Sequence, residues 1–491
     1  MKVILINPSS SRYSLCRALP LGLCYLAAVA NEIAEHTELI DAMQTEVKTS
    51  EEIYKYIIEH YSQDDTIVFG FSLHFLNLSA YYELLCLLKA VYIHSYFIVG
   101  GTYISQLCDH SFDSLGDVDV IMRGAGELPL KQILQRCAIN SKNFTDIPNI
   151  IWKKDGTYIV NELREDILLK HTEITPYRPA NIQQIYGNSE LSILTSRGCP
   201  GGCTYCIVSG IYKGHWYQRE AIDIIREAEI AMQNQVYTIG FFVDDCFLTN
   251  KARALVICDL WHKKIHIPFY FAARVCDILQ LSKEEIQFLH ACGCFRIEVG
   301  FESFSSSVLK RYGKGVTAEQ NQEAIFRIRE AKIDIHADII LWDYEVTVEE
   351  LMVTLKRLHD NRLFTTIHML QKLVPMSGTP IYKKYRKLDI LFEREGVWDY
   401  SFKIPTIQMA YNAVMEYKSR FYERIQRDEK LIYTHNRSMY LPKDIVKGRL
   451  LIENLHAISY RFLIKILEEG QIEYVEFALA TAAKELNNIE I

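Results

Sequence analysis

The run Ser196–Cys206, SRGCPGGCTYC, holds the chain's clearest capacity for chemistry. Cys199, Cys203 and Cys206 stand at C-x3-C-x2-C spacing just after a candidate strand, and Pro200, Gly201 and Gly202 between them permit a tight loop. Three thiolates can hold three irons of a 4Fe–4S cluster and leave the fourth iron open to a chelating small molecule. Structural zinc is the competing use. Zinc wants a fourth ligand, and the nearest histidine, His215, lies nine residues beyond Cys206, outside the usual spacing. The other cysteines of the thirteen mostly lie in apolar surroundings, where Cys behaves as a small buried hydrophobe. Their odd number and the absence of an export signal argue against a disulfide framework.

The elements that must position this loop follow from hydrophobic patterning. In residues 1–145, β-rich runs (KVILIN, ELIDA, TIVFGFS, YFIVGG, DVDVIMRG) alternate with helical stretches whose apolar residues recur every three or four positions. Strands with so little alternation suit a parallel sheet covered on both faces, and five of them predict a flavodoxin-like doubly wound domain. Residues 146–189 read as a hairpin around Asp155-Gly156 followed by a linker with Pro176 and Pro179. Residues 190–404 repeat the α/β alternation, from ELSILTS to TTIHMLQKLVP, and predict a partial (β/α)6 barrel with its chemistry at the strand ends. Residues 405–491 predict a small helical C-terminal domain.

Composition narrows the class. The 491 residues carry 54 basic and 61 acidic side chains, a balance of −7 with histidine neutral. A sequence pI near 6.1 argues against a nucleic-acid backbone as main partner. A hydrophobic fraction of 49% and a charged fraction of 23% exclude wholesale disorder. The longest stretch free of charged residues, Ala90 to Cys108, is broken by His94, Gly100, Gly101 and Gln106 and does not read as a membrane span. MKVILINP lacks a long apolar h-region, so no signal peptide is expected. The expectation is a cytoplasmic enzyme.

SRGCPGGCTYC resembles the cluster motif of the radical SAM superfamily, in which an aromatic residue, here Tyr205, typically precedes the last cysteine. FFVDDCFLTN, FAARVCDILQLSKEEIQFLHACGCFRIEVGFES and VPMSGTPIY resemble the family's later barrel strands and its closing turn, so the likeness covers about Leu191 to Tyr382. The resemblance implies that S-adenosylmethionine chelates the open iron and that one electron, from a flavodoxin- or ferredoxin-type donor, releases a 5′-deoxyadenosyl radical. It implies adenosylmethionine contacts at Tyr205, at Glu302 ending GFES, at Arg274 ending FAAR as a carboxylate partner, and at Asp245 or its neighbour Asp244. Where the family often reads I-I-G-L-P-G-E-T, this chain has IILWDYEVT, so Trp342 or Tyr344 is expected to reshape the adenosine pocket.

Pro20-Leu21-Gly22-Leu23, Gly70-Phe71-Ser72, Gly100-Gly101-Thr102 and Gly124-Ala125-Gly126-Glu127 recur in the order and spacing of the cobalamin-binding domain that precedes the barrel in one radical SAM subgroup. The resemblance implies cobalamin contacts at Leu21, Gly22, Ser72, Gly100, Gly101, Thr102, Gly124 and Glu127. The D-x-H-x-x-G signature is absent. His74, two residues past Ser72, is then the candidate lower-face cobalt ligand. The implied activity is methylation of an unactivated carbon, or phosphorus, of a small-molecule or peptide substrate. Ring contraction or cyclisation without methyl transfer is the enzymatic alternative, and a cofactor-sensing binding protein the non-enzymatic one. Methylthiotransferases share the layout, but Cys16, Cys24, Cys86 and Cys108 are too dispersed to supply their second cluster.

Overall fold

The first strand, β1 (Lys2–Asn7), is apolar at its four central positions because both of its faces are buried. Val3 and Leu5 enter one core cluster, while Ile4 and Ile6 enter another on the opposite side. This computed structural model describes residues 1–8, 19–42, 49–74, 77–104, 112–164, 174–179, 190–394, 397–428 and 442–488. Around β1 lie β2 (His36–Asp41), β3 (Ile67–Ser72), β4 (Tyr96–Gly100) and β5 (Val120–Met122), all parallel, in the order β2-β1-β3-β4-β5. That is the flavodoxin-like order, and it opens a crevice beyond the carboxyl ends of the strands. Helix α1 (Leu21–Asn31) and α4 (Glu127–Ala138) pack together on one face, and α2 (Ser50–His60) and α3 (Leu78–Val91) on the other. The hairpin β6 (Ile150–Lys154) and β7 (Thr157–Val160) adds to β5 as an antiparallel edge. Asp155 and Gly156 both have positive φ, as a two-residue hairpin turn requires. The hairpin therefore belongs to the first sheet.

The second sheet is parallel, in the order β14-β13-β12-β11-β8. It comprises β8 (Glu190–Ile193), β11 (Ile239–Phe242), β12 (Phe269–Arg274), β13 (Cys294–Glu302) and β14 (Asp334–Ile339). A short antiparallel pair, β9 (Ser196–Gly198) and β10 (Trp216–Gln218), brackets the cysteine loop. Alternation along the strands sends Phe271, Ile297, Val299 and Ala337 outward into the helices, where they are buried. The other face lines the barrel interior. Register places Ser192, Phe241, Tyr270, Arg296 and Asp334 in one row, Ala272, Glu298 and His336 in the next, and Arg274, Gly300 and Asp338 above it.

The sixth expected strand, in TTIHMLQKLVP, is not a ladder strand. Thr366–Leu370 forms a 3-10 turn, and only a single bridge joins Lys372 to Trp342. Side-chain bonds compete with the ladder there: Thr366 N donates to His456 Nδ1 at 3.1 Å, and the His368 ring pairs with the Ala337 carbonyl at 2.8 Å. The C-terminal helices Pro405–Tyr417, Pro442–Glu469 and Glu473–Asn487 share the barrel's hydrophobic core and brace its open edge. No helix among the described residues is long and apolar enough to cross a membrane.

Candidate functional site

The cysteine loop is held from three sides. Thr204 N donates to the Tyr312 carbonyl at 2.8 Å, its hydroxyl donates to the Arg311 carbonyl at 3.1 Å, and Ile381 N, just past the Ser377-Gly378-Thr379 turn, donates to the Thr204 carbonyl at 3.0 Å. Cys199, Cys203 and Cys206 are all half-buried and free of disulfides. Cys199 is pulled down to about 6, first by the Cys246 thiol hydrogen-bonded to it, then by the Gly201 N–H and the nearby Arg274 guanidinium, against the effect of burial. Burial pushes Cys203 and Cys206 up. Among the described residues, no three His, Cys, Asp or Glu side chains converge tightly enough to hold a single metal ion. Three thiols on one short loop suit a cluster that gives each cysteine its own iron.

Above the barrel interior, Glu302 ends β13 in a left-handed conformation, φ 64°, where the pairing register with β14 shifts. Such a φ is costly for a non-glycine residue and is held here by its surroundings. Lys314 lies 3.3 Å from the Glu302 carboxylate, and both side chains are nearly inaccessible. Burial alone would lower the Lys314 ammonium, but Glu302 and then Cys203 carry it above its ordinary value. The Tyr205 hydroxyl is pushed up by burial and by Glu302, to which it hydrogen-bonds, while its ring packs edge-on against Tyr312 at 5.2 Å. Arg274 spends two nitrogens on Asp277, at 2.8 and 2.6 Å, and turns the third toward Gly201. Asp244 and Asp245 part company. Asp244 is buried and accepts from Thr195 N at 2.7 Å and from the Thr195 and Ser196 hydroxyls, so it fixes the turn after β8. Asp245 accepts from Gly198 N at 3.2 Å and faces a cavity. Burial there pushes it up to about 6.

That cavity, of about 370 Å³, lies at the crevice of the first sheet and is walled by both sheets' loops. Leu21, Gly22, Ser72, Gly100, Gly101, Thr102, Gly124 and Glu127 all line it, as the sequence motifs require, and His74 does not. Glycine backbone makes much of its floor. A side chain at Gly22 would meet no atom within 4 Å, so that position leaves open space. Gly101 has φ 104°, and a Cβ there would stand 2.5 Å from the Leu73 carbonyl oxygen. Gly101→Ala is therefore expected to cost about 2 kcal/mol in the first domain, read as a lower midpoint of thermal unfolding. A broad, mostly apolar slot with exposed glycine backbone fits the edge of a flat macrocycle.

Several residues of the site were not foreseen. Arg197, inside the cysteine motif, pairs with Glu127 across the two domains. Lys314 follows the helix Ser306–Tyr312, and only its place twelve residues after Glu302 could have signalled it. Cys246 reads in sequence as an apolar filler, yet it reaches Cys199 and accepts from the Thr249 hydroxyl at 2.9 Å. Trp342 is fully buried in the barrel's core with its indole N–H donating to the Met369 carbonyl at 2.7 Å, while Tyr344 is half-buried and packs edge-on against Tyr385 and Tyr400. Cys24 is buried and Cys86 exposed, while Cys16 and Cys108 lie outside the described residues.

Residues 193–388 match the Radical SAM superfamily. An uncharacterized methyltransferase of Pyrococcus horikoshii is 24% identical over 366 residues, 72% of this chain and 77% of that protein. The 4'-phospho-dehydrooxetanocin synthase of Priestia megaterium is 26% identical over 66% of this chain, which spans only 45% of that relative's length. Among solved structures, the cobalamin-dependent S-adenosylmethionine radical enzyme OxsB with aqua-cobalamin bound superposes with a TM-score of 0.77, covering 99% of this chain and 80% of that one at 18% identity. Residues 193–388, with their cysteine loop and barrel, thus form a radical SAM domain, and the chain as a whole is built on a fold shared with a cobalamin-dependent enzyme of that kind.

Proposed function

We propose that this protein is a cytoplasmic, cobalamin-dependent radical SAM enzyme that methylates an unactivated carbon, or phosphorus, of a small-molecule or peptide substrate. One observation carries the reading: the glycine-walled cavity of the first domain has Arg197, Tyr212 and Asp245, beside the cysteine loop, as its opposite wall. A flat cofactor seated there would face the cysteine loop's side of the cavity. When bound, the cluster with adenosylmethionine supplies radical initiation, and cobalamin supplies a methyl carrier.

The chain's own residues position and insulate these groups. Cys199, Cys203 and Cys206 would hold the cluster. Glu302, kept in its strained conformation by Lys314 and Tyr205, would receive the amino or ribose donors of adenosylmethionine. The free nitrogen of Arg274 would receive its carboxylate. Asp245, which lines the cavity, would stand between the two cofactor sites. Cobalamin would lie against Leu21, Gly22, Ser72, Gly100, Gly101, Thr102, Gly124 and Glu127. His74 stands outside the cavity lining, so we assign it no cobalt. A flavodoxin- or ferredoxin-type donor would provide the electron.

The test supplies reduced, reconstituted protein with methyl-labelled adenosylmethionine and the small-molecule and peptide fraction of its source cells. Methylation expects S-adenosylhomocysteine and 5′-deoxyadenosine to accumulate together with a labelled product. 5′-Deoxyadenosine with an unlabelled new product would move the assignment to ring contraction or cyclisation. Adenosylmethionine left intact throughout would reject the enzymatic reading in favour of a cofactor-sensing protein.

A further inference from the structure

Beneath the cluster site, the barrel wall carries an unusual set of groups. Ala272 projects only a methyl group into the middle of the wall, and the space over Gly300 above it is taken by the Glu302–Lys314 pair. Beside them on the neighbouring strands stand Glu298, His336 and Asp338. The row below closes the floor. Phe241 stacks on Tyr270 at 4.3 Å, Tyr270 donates to Glu190 at 2.8 Å, and Arg296 pairs with Asp334 at 2.9 Å. The polar groups of the floor are thus paired among themselves.

The groups above the floor are not. The Glu298 carboxylate has no hydrogen bond or ion pair with any described residue, and Asp338 has only His336, whose Nε2 is 3.7 Å from its oxygen. The His336 and Asp338 side chains remain 46% and 51% exposed, although Ile335, Ala337 and Ile339 of the same strand are buried. Their open side is the barrel interior. Both carboxyls are crowded: burial raises Glu298, and burial followed by Glu302 and Glu298 raises Asp338 to about 7. The nearest cations are committed elsewhere, Lys314 to Glu302, Arg274 to Asp277 and Arg296 to Asp334.

We propose that this interior takes an amine-bearing substrate, with Glu298, Asp338 and His336 receiving its ammonium group. The inference deepens the proposed function and rests on its placement of the reaction in the barrel. An ammonium has donors only, two carboxylates offer acceptors only, and a neutral imidazole adds one acceptor nitrogen. The charge-assisted bonds would draw both carboxyls back to their ionised forms. An anionic group would meet like charge, and an apolar one would leave the carboxyls buried without partners. The floor's aromatic pair would carry the carbon skeleton, with the bond to be attacked turned up toward the cysteine loop.

Three four-carbon probes of matched length test this: 1,4-diaminobutane, 1,4-butanediol and succinate. Each is mixed with dithionite-reduced holoenzyme carrying cluster and adenosylmethionine, and its proton line-broadening by the paramagnetic cluster is measured. Diaminobutane is expected to broaden at about tenfold lower concentration than either partner, a difference of about 1.4 kcal/mol. Glu298→Gln combined with Asp338→Asn is expected to abolish that preference while the cluster's electron paramagnetic signal persists. Should the double variant fail to hold its cluster, Asp338→Asn alone is expected to weaken the preference several-fold. Equal broadening of the three probes, a preference for succinate, or a preference unchanged in the variants would overturn the inference and leave the enzyme assignment standing. Failure of the wild-type chain to form a reduced cluster would overturn the enzyme assignment and this inference with it.

Discussion

Replacing Cys199, Cys203 and Cys206 together by Ala is expected to leave the protein without iron after anaerobic reconstitution. The intact chain is expected to bind about four irons and to absorb broadly in the visible from sulfur-to-iron charge transfer. The effect is large because each cysteine would hold a separate iron. Cys246, bonded to Cys199, lies within reach, but one thiol cannot retain a cluster. The fold should survive. All three side chains are half-buried on a loop, so truncation opens no core cavity, and the loop keeps its backbone bonds to Tyr312, Arg311 and Ile381. Iron analysis and circular dichroism on the same sample check both halves of the expectation. More than about one iron per chain in a folded triple variant would point to ligands elsewhere.

Much of this arrangement is legible in the amino-acid sequence because its signals are local. The loop that wraps a cluster needs three thiols within eight residues, and no distant residue can alter that spacing. The first domain is equally direct. KVILIN is apolar at every central position because the sheet is covered on both faces, and its glycine turns must follow strand ends if backbone is to wall a crevice. All but one of the nine residues read from those turns line the same cavity. His74, two residues past Ser72, is the one that does not, because sequence proximity to a strand end does not fix where a side chain points.

What sequence does not show is pairing across distance. Arg197 is one letter of a motif until the fold sets it against Glu127, seventy residues away. Lys314 becomes part of the site only because the helix Ser306–Tyr312 ends over the cysteine loop. The sixth strand illustrates the opposite failure. TTIHMLQKLVP has the apolar content of a strand, but Thr366 and His368 find side-chain and carbonyl partners that a ladder would have to displace. The polar wall of the barrel was written in plain alternation, as the glutamate in FRIEVGFE and the histidine and aspartate in DIHADI. Its meaning depends on which face is open, and that is decided by the helices packed outside.

Glu227→Ala is expected to cause the largest loss of stability of any single substitution considered for this chain. Its carboxylate is 1% exposed and lies between two buried guanidiniums, Arg178 at 3.0 Å and Arg219 at 2.7 Å. The Tyr25 hydroxyl, from α1 of the first domain, joins the same carboxylate at 3.3 Å and accepts from Arg219 at 3.1 Å. Burial, followed by Glu227, pushes the Tyr25 hydroxyl well above its ordinary value, so it stays protonated and can donate. Removing one member of a buried ion pair costs about 3–5 kcal/mol because the remaining charge is left without compensation. Here two cations lose one anion, and about 5 kcal/mol is expected, seen as a fall of roughly 10 °C in the unfolding midpoint. Glu227→Gln keeps an acceptor and is expected to lose about half as much, and Tyr25→Phe only about 1 kcal/mol. The network also joins the first domain to the barrel, so hydrogen exchange in Leu21–Asn31 should quicken in Glu227→Ala before the barrel itself opens. The cavity between the domains depends on that spacing. If Glu227→Ala unfolds at the wild-type midpoint and α1 exchanges unchanged, the Glu227 network does not hold the two domains together and does not set the distance between the two cofactor sites.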